Sequence, residues 1–160
     1  MVSNTIKPDW WTSDHWSTPQ ALVDRLAAEE GLAGFDLDVC ARPETAKAPK
    51  FYTVEDDGLG QPWYGNVWLN PPFSNVGPWL RRARAEVDAG HARLVVAILP
   101  PAVETRWFHR DVLAAGAQVK FLLGRTRWLG WAGTPIPHPK TGSLVAIYRP
   151  APPLAAQGEK

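Results

Sequence analysis

Apolar residues fall in short separate blocks along the 160-residue chain, and most blocks carry a readable period. Residues 1–15 are polar and aromatic without a period and read as an arm. Thr18-Pro19-Gln20 has the composition of a helix start, with threonine as N-cap and proline in the first helical position. Leu22, Val23, Leu26 and Ala27 follow at helical spacing, and Gly31 or Gly34 ends the run. Residues 35–40 alternate apolar and acidic side chains, as a strand does. Residues 42–65 are rich in proline, glycine and charge and read mostly as loop. A short strand at 66–69 runs straight into Asn70-Pro71-Pro72-Phe73. Residues 78–87 form a helix with a basic face (Arg81, Arg82, Arg84) that stops near Gly90. Residues 93–99 are almost purely apolar after the first, which predicts a strand buried on both faces. A helix over about 104–115, ended by Gly116, precedes a strand at 119–123. A loop rich in Gly, Pro, Trp and Arg spans 124–142, a last strand spans 143–148, and a Pro/Ala tail closes the chain.

Helix and strand therefore alternate, which predicts an α/β fold with an open, mostly parallel sheet and helices on both faces. The last two strands have no helix between them, so they form an antiparallel pair at or near one edge. No repeat of fixed period interrupts the pattern. The length suits one domain, read as residues 16–150 between the arm and a flexible tail at 151–160. A domain of this size buries roughly 70% of its unfolded surface and needs no disulfide or metal staple.

Composition narrows the classes. The chain has no run of about 18 apolar residues and no apolar stretch in its first fifteen, so neither a membrane span nor a signal peptide is expected. Cys40 is the only cysteine, which excludes a disulfide framework within the chain and points to a reducing cytoplasm. Four histidines (His15, His91, His109, His138) have no metal-ligand spacing, and no P-loop or nucleophile elbow occurs, so no metal is expected. The formal net charge is only +1, but it is unevenly distributed. Residues 1–80 carry five basic and eleven acidic side chains, and residues 81–160 carry twelve basic and five acidic. The second half suits a polyanion.

Asn70-Pro71-Pro72-Phe73 carries the chemistry. It follows a strand, at the end where open α/β sheets hold their ligands. Two prolines remove two N–H donors, leaving carbonyls without competing donors beside them. Asn70 adds a side-chain acceptor that cannot ionise, and Phe73 adds a flat apolar face. The set suits a planar amino group on an aromatic ring. The ring stacks on Phe73, and the amino hydrogens go to Asn70 Oδ1 and the Pro71 carbonyl. The nitrogen lone pair is then left to attack an electrophilic methyl, with carbonyl dipoles stabilising the positive charge that develops.

This tetrapeptide resembles the catalytic motif of S-adenosylmethionine-dependent amino-methyltransferases. Its neighbours narrow the likeness. Ser13-Asp14-His15-Trp16-Ser17-Thr18-Pro19-Gln20, Phe35-Asp36-Leu37-Asp38-Val39-Cys40-Ala41, Asp56-Asp57-Gly58-Leu59 with Trp63, and Trp68 through Phe73 are similar to the ordered blocks of the phage-type DNA N6-adenine methyltransferase (Dam) family. Leu99-Pro100, residues 105–109 and residues 124–128 fit the same family. The resemblance covers about residues 13–150. It implies a Rossmann-like class I methyltransferase fold and S-adenosyl-L-methionine as cofactor. It places Ser17, Thr18 and Pro19 near the cofactor's carboxylate at a helix N-terminus, and Asp38 at its methionine or ribose part. Cys40 and Ala41 become the small residues of the cofactor loop, because the Gly-x-Gly of the wider class is missing. Asp57, with Asp56, accepts from the cofactor adenine, while no acidic residue ends a second strand to hold the ribose. Thr45-Ala46-Lys47 stands where Asn-Ala-Lys is usual, and Phe73 where Tyr is commoner.

The same resemblance implies a double-stranded DNA substrate with its adenine flipped out of the helix. Phe73 provides one stacking face, and Trp128 or Trp131 the other. Arg106, Arg110, Arg125 and Arg127 are candidate phosphate or guanine contacts. With no room for a large recognition domain, target recognition falls to inserts at about 74–84 and 124–142. The expected setting is a phage or prophage enzyme in the bacterial cytoplasm, modifying DNA against restriction, with no obligate protein partner and no membrane. RNA, protein glutamine and cytosine N4 are alternative methyl acceptors, since related motifs serve them. A non-enzymatic, tryptophan-rich DNA-binding module is the alternative outside methyl transfer, and it would not bind the cofactor.

Overall fold

The eight-residue strand Ala92–Leu99 (β4) is buried at every position but its second, and the sheet is built around it. The computed structural model describes residues 12–130 and 133–152. In chain order its strands are Leu37–Asp38 (β1), Lys50–Phe51 (β2), Gly65–Leu69 (β3), β4, Gln118–Phe121 (β5) and Leu144–Tyr148 (β6). They form one six-stranded sheet in the order β2-β1-β3-β4-β6-β5. The β2, β1, β3 and β4 strands are parallel, whereas β6 runs antiparallel to both β4 and β5. The antiparallel pair expected at or near one edge is thus present, with β5 at the edge and β6 between it and β4. Since β6 alone is reversed, the segments after β1, β3, β4 and β5 all leave from one edge of the sheet.

Helices cover both faces, because the pleat of β4 points alternate residues to opposite sides. Leu94, Val96 and Ile98 share a core with Val23, Leu26 and Ala27 of Gln20–Glu29 (α1). Val95, Ala97 and Leu99 share the other core with Leu80, Ala83 and Val87 of Gly77–Asp88 (α2), and with Phe108 and Val112 of a π-helix at Phe108–Leu113. Each fully buried aliphatic side chain contributes about 1.5–3 kcal/mol.

Three expectations are corrected. The helix expected over 104–115 is shorter: two α-helical residues, Arg106 and Trp107, lead into the π-helix. Strand β2 lies in the stretch read as loop; at two residues it is too short to carry a period. α1 starts at Gln20 with Pro19 as its N-cap and no side-chain capping bond, so Thr18 does not cap it. The stretch 74–84, read as a recognition insert, runs from the 3₁₀ turn Phe73–Asn75 into α2.

No helix among the described residues is long and apolar enough to cross a membrane.

Candidate active site

The loops after β1 and β3, the short β2 segment and the residues before α1 enclose a cavity of about 400 Å³ at the carboxyl edge of the sheet. Ser17, Thr18, Asp38, Cys40, Ala41, Asp57 and Asn70 line it, together with Pro72 of the tetrapeptide. Asp14, Arg42, Lys47, Thr53, Val54 and Trp79 also contribute, and none of these was given a site role from the sequence. Thr53 and Val54 reach the cavity because β2 pairs with β1. The β-branched and aromatic run Phe51-Tyr52-Thr53-Val54 was the signal for that strand.

Asp38 ends β1 and is buried. Its Oδ1 accepts the Cys40 N–H at 3.2 Å and its Oδ2 the Lys47 N–H at 3.0 Å, so the carboxylate ties the loop that walls the cavity. Burial pushes this carboxyl from its ordinary value of 3.8 up to about 6, against the opposing pull of those two amides and the Lys47 ammonium. The folded chain therefore holds this proton more tightly than the unfolded one. The stability associated with it is fully present below pH 3.8 and is lost as pH rises through about 6. A ¹³C carboxyl titration is expected to place the Asp38 midpoint near 6, and a midpoint at 4 or below would contradict the effect of burial. Burial, reinforced by Asp38 and Asp14, pushes the Cys40 thiol up to about 12, so Cys40 is an un-ionised wall residue rather than a nucleophile.

The two neighbouring acids differ. Asp56 turns its carboxylate onto the Thr53 N–H at 2.8 Å and the Thr53 hydroxyl at 3.0 Å, which stabilises a turn. It does not line the cavity, which Asp57 does, in the left-handed region at φ 55°. The following Gly58 holds that conformation in place. Its carbonyl accepts from the buried Trp63 indole at 2.8 Å, and its Cα faces the Val39 carbonyl and the Trp79 ring.

In the tetrapeptide, Asn70 Nδ2 donates to the Trp16 carbonyl at 3.0 Å. A carbonyl only accepts, so this contact fixes which end of the amide faces it and leaves Oδ1 as an acceptor. The Pro71 carbonyl takes no hydrogen bond from the described residues, whereas the Pro72 carbonyl accepts the Asn75 N–H at 3.0 Å. The expectation that both carbonyls stand open therefore holds only for Pro71. Phe73 is half-buried and meets Trp128 edge-to-face, with centroids 5.6 Å apart and planes at 82°. Trp128 itself is only 2% exposed and packs in the core, so it braces Phe73 rather than offering a free face to a base. Trp131 lies outside the described residues.

Residues 3–152 match the family model described as DNA N-6-adenine-methyltransferase (Dam). The chain belongs to this family. It is 37% identical over 107 residues to the DNA N-6-adenine-methyltransferase of Haemophilus phage HP1 (strain HP1c1), a match covering 66% of this chain and 59% of the phage protein. It is 34% identical over 97 residues to the DNA N-6-adenine-methyltransferase of Escherichia phage T1, covering 59% of this chain and 39% of that protein. The matches thus span less than two thirds of the length of either relative. No solved structure matches the chain.

On this Dam-family chain the basic surplus is divided between internal pairing and open surface. Arg81 and Arg110 both bind the buried Asp111, at 3.1 and 2.7 Å. Arg82, Arg84, Arg93, Lys120 and Arg149 are also in ion pairs. Arg106, Arg125 and Arg127 are exposed and pair with no carboxylate among the described residues. Residues 125–128 alternate out and in, so Thr126 and Trp128 anchor the loop while both arginines face solvent. Thr126 Oγ1 lies 2.6 Å from Ser143 Oγ in that anchor. Among the described residues no three His, Cys, Asp or Glu side chains converge as a metal site.

Proposed function

We propose that the protein transfers a methyl group from S-adenosylmethionine to the N6 amino group of an adenine flipped out of double-stranded DNA. The observation that carries this reading is the pair of acceptors without a partner among the described residues, Asn70 Oδ1 and the Pro71 carbonyl, in a tetrapeptide whose Asn70 and Pro72 line the cavity. Family membership supports the same reading. So does the six-stranded sheet, whose mostly parallel order with one reversed strand suits a Rossmann-like class I fold.

The cavity suits the cofactor. Thr18 Oγ1 is buried without a partner among the described residues, and Thr18 lines the wall just before the N-terminus of α1, where an anionic group is favoured. Asp38 and Asp57 stand in the same wall as Arg42 and Lys47, a mixture that suits a ligand with both cationic and anionic ends. Val39, Val54 and Trp79 give apolar surface for a flat ring. Ser17 and Thr18 with Pro19 behind them, Asp38, Cys40, Ala41 and Asp57 would hold the cofactor. Bound there, it supplies an electrophilic methyl group.

The chain's own residues then hold the acceptor. Flipping the base costs a few kcal/mol, and stacking on Phe73 returns about 1–3 kcal/mol. Asn70 Oδ1 and the Pro71 carbonyl accept the two amino hydrogens, which orients the nitrogen lone pair. Their dipoles stabilise the charge that develops on nitrogen, and a proton leaves once the nitrogen has become cationic. Arg106, Arg110, Arg125 and Arg127 face the DNA backbone or a guanine edge, and residues 124–142 carry most of the target recognition. The phage relatives suit a phage or prophage enzyme that protects DNA against restriction in a bacterial cytoplasm.

The test is transfer of labelled methyl from S-adenosylmethionine to unmethylated and premethylated double-stranded DNA. Label recovered as N6-methyladenine supports the proposal. Label in cytosine, RNA or protein replaces the acceptor, and absence of both transfer and calorimetric cofactor binding overturns it. Arg125→Gln with Arg127→Gln is expected to weaken DNA binding and to reduce the slope of log affinity against log salt by about 2. An unchanged slope in a salt titration would remove both arginines from the interface.

A further inference from the structure

We infer that Asp14 is a positioning residue for methyl transfer, clamping the catalytic tetrapeptide from outside through Ser74. The inference rests on the functional reading above and adds to it a residue outside the tetrapeptide.

Asp14 belongs to the 3₁₀ turn Ser13–His15, and Ser74 to the 3₁₀ turn Phe73–Asn75. The Ser74 N–H donates to Asp14 Oδ1 at 2.9 Å, and the Ser74 hydroxyl donates to Oδ2. One carboxylate thus holds the first residue after the tetrapeptide by two bonds. Two positions along the arm, the Trp16 carbonyl holds the Asn70 amide. The segment 14–16 therefore grips the tetrapeptide at both ends. The Trp16 ring lies 6.0 Å from Trp128, which braces Phe73, and Ser17 bridges to Leu129 in antiparallel fashion.

The need for such a clamp follows from the two prolines. Neither Pro71 nor Pro72 has an N–H, and the bond between Asn75 and the Pro72 carbonyl is the only backbone hydrogen bond within residues 70–75. The φ angles at Pro71 and Pro72 are fixed, but the orientation of the whole turn relative to the cavity is set from elsewhere. Asp14 and Ser74 are both exposed, so the pair adds little to global stability. Asp14 lines the cavity and each of its oxygens keeps a lone pair beyond its Ser74 bond, so cofactor affinity measured beside kcat separates this role from direct cofactor binding. A displacement of about 1 Å at a reacting centre can cost about 10²-fold in rate.

The experiment compares wild type with Asp14→Ala, Asp14→Asn, Ser74→Ala and the Asp14→Ala/Ser74→Ala double variant. Methyl transfer is measured on unmethylated double-stranded DNA at saturating cofactor, with calorimetric cofactor binding alongside. Asp14→Ala is expected to lower kcat by about 10- to 100-fold while cofactor Kd stays within about threefold. Ser74→Ala keeps the backbone bond and should lose less, Asp14→Asn should recover part of the rate, and the double variant should be no slower than Asp14→Ala. Hydrogen exchange at the Ser74 amide should quicken by at least about tenfold in Asp14→Ala, independently of any chemistry. Cofactor affinity falling in step with kcat would make Asp14 a cofactor contact and overturn the inference. Losses that multiply in the double variant, or an unchanged kcat, would overturn it equally. A wild-type protein that transfers nothing overturns the functional reading instead.

Discussion

Replacing Asn70 by alanine is expected to lower methyl transfer to DNA by about 10²–10³-fold, the loss typical when one preorganised dipole is removed from a developing charge. The substitution removes the Oδ1 acceptor and also the Nδ2 donor that meets the Trp16 carbonyl at 3.0 Å. Asn70→Asp tests the two functions separately. It keeps an acceptor for the amino group but turns a second oxygen toward the Trp16 carbonyl with no proton between them. The aspartate variant is therefore expected to be slower than wild type by more than about tenfold, despite its near-identical shape. Single-turnover kinetics at saturating DNA read the chemical step directly. Wild-type rates in Asn70→Ala would remove Asn70 from the mechanism, and wild-type rates in Asn70→Asp would mean that the Trp16 contact does not orient the amide.

Gly58→Ala is the second large effect. A Cβ at this position would lie 2.1 Å from the Val39 carbonyl oxygen and 3.2 Å from the Trp79 ring. The first neighbour is backbone and cannot rotate away, so the 53–60 segment must shift. A cost of about 3 kcal/mol is expected, at the upper end of overpacking, which lowers Tm by roughly 6–12 °C for a chain of this size. Val39, Gly58, Asp57 and Trp79 all line the cavity, so the same shift should weaken cofactor binding by at least about tenfold at temperatures where the variant is folded. Calorimetry at 15 °C and thermal unfolding measure the two effects. A Tm within 1 °C of wild type would mean that the contact relaxes freely.

The main architecture was legible because its signals are local. The 3.6-residue spacing of Val23, Leu26 and Ala27 predicts α1, and the continuous apolar run at 94–99 predicts the central strand. Asn70-Pro71-Pro72-Phe73 was recognisable because its chemistry lies in four adjacent residues. What escaped depends on contacts across the chain. Lys50–Phe51 is a strand only because β1 is beside it. Asp56 and Asp57 are identical neighbours, and only the turn at 53–56 decides that one faces Thr53 and the other the cavity. Trp128 reads as an available aromatic until the core built by Val96, Ile98 and Val145 closes over it. The Asp14–Ser74 pair spans sixty positions, a distance at which no periodicity speaks.

The place of β6 in the sheet has a consequence for biosynthesis. Residues 144–148 fill the slot between β4 and β5, and β5 has no other partner strand among the described residues. A nascent chain that has emerged only as far as residue 143 therefore carries the central strand with one open edge and β5 with nothing to pair. Such an edge is a template for association with other chains. The sheet can close only after residues 144–148 have emerged, so crowded polysomes expose this protein to misassembly until β6 clears the ribosome.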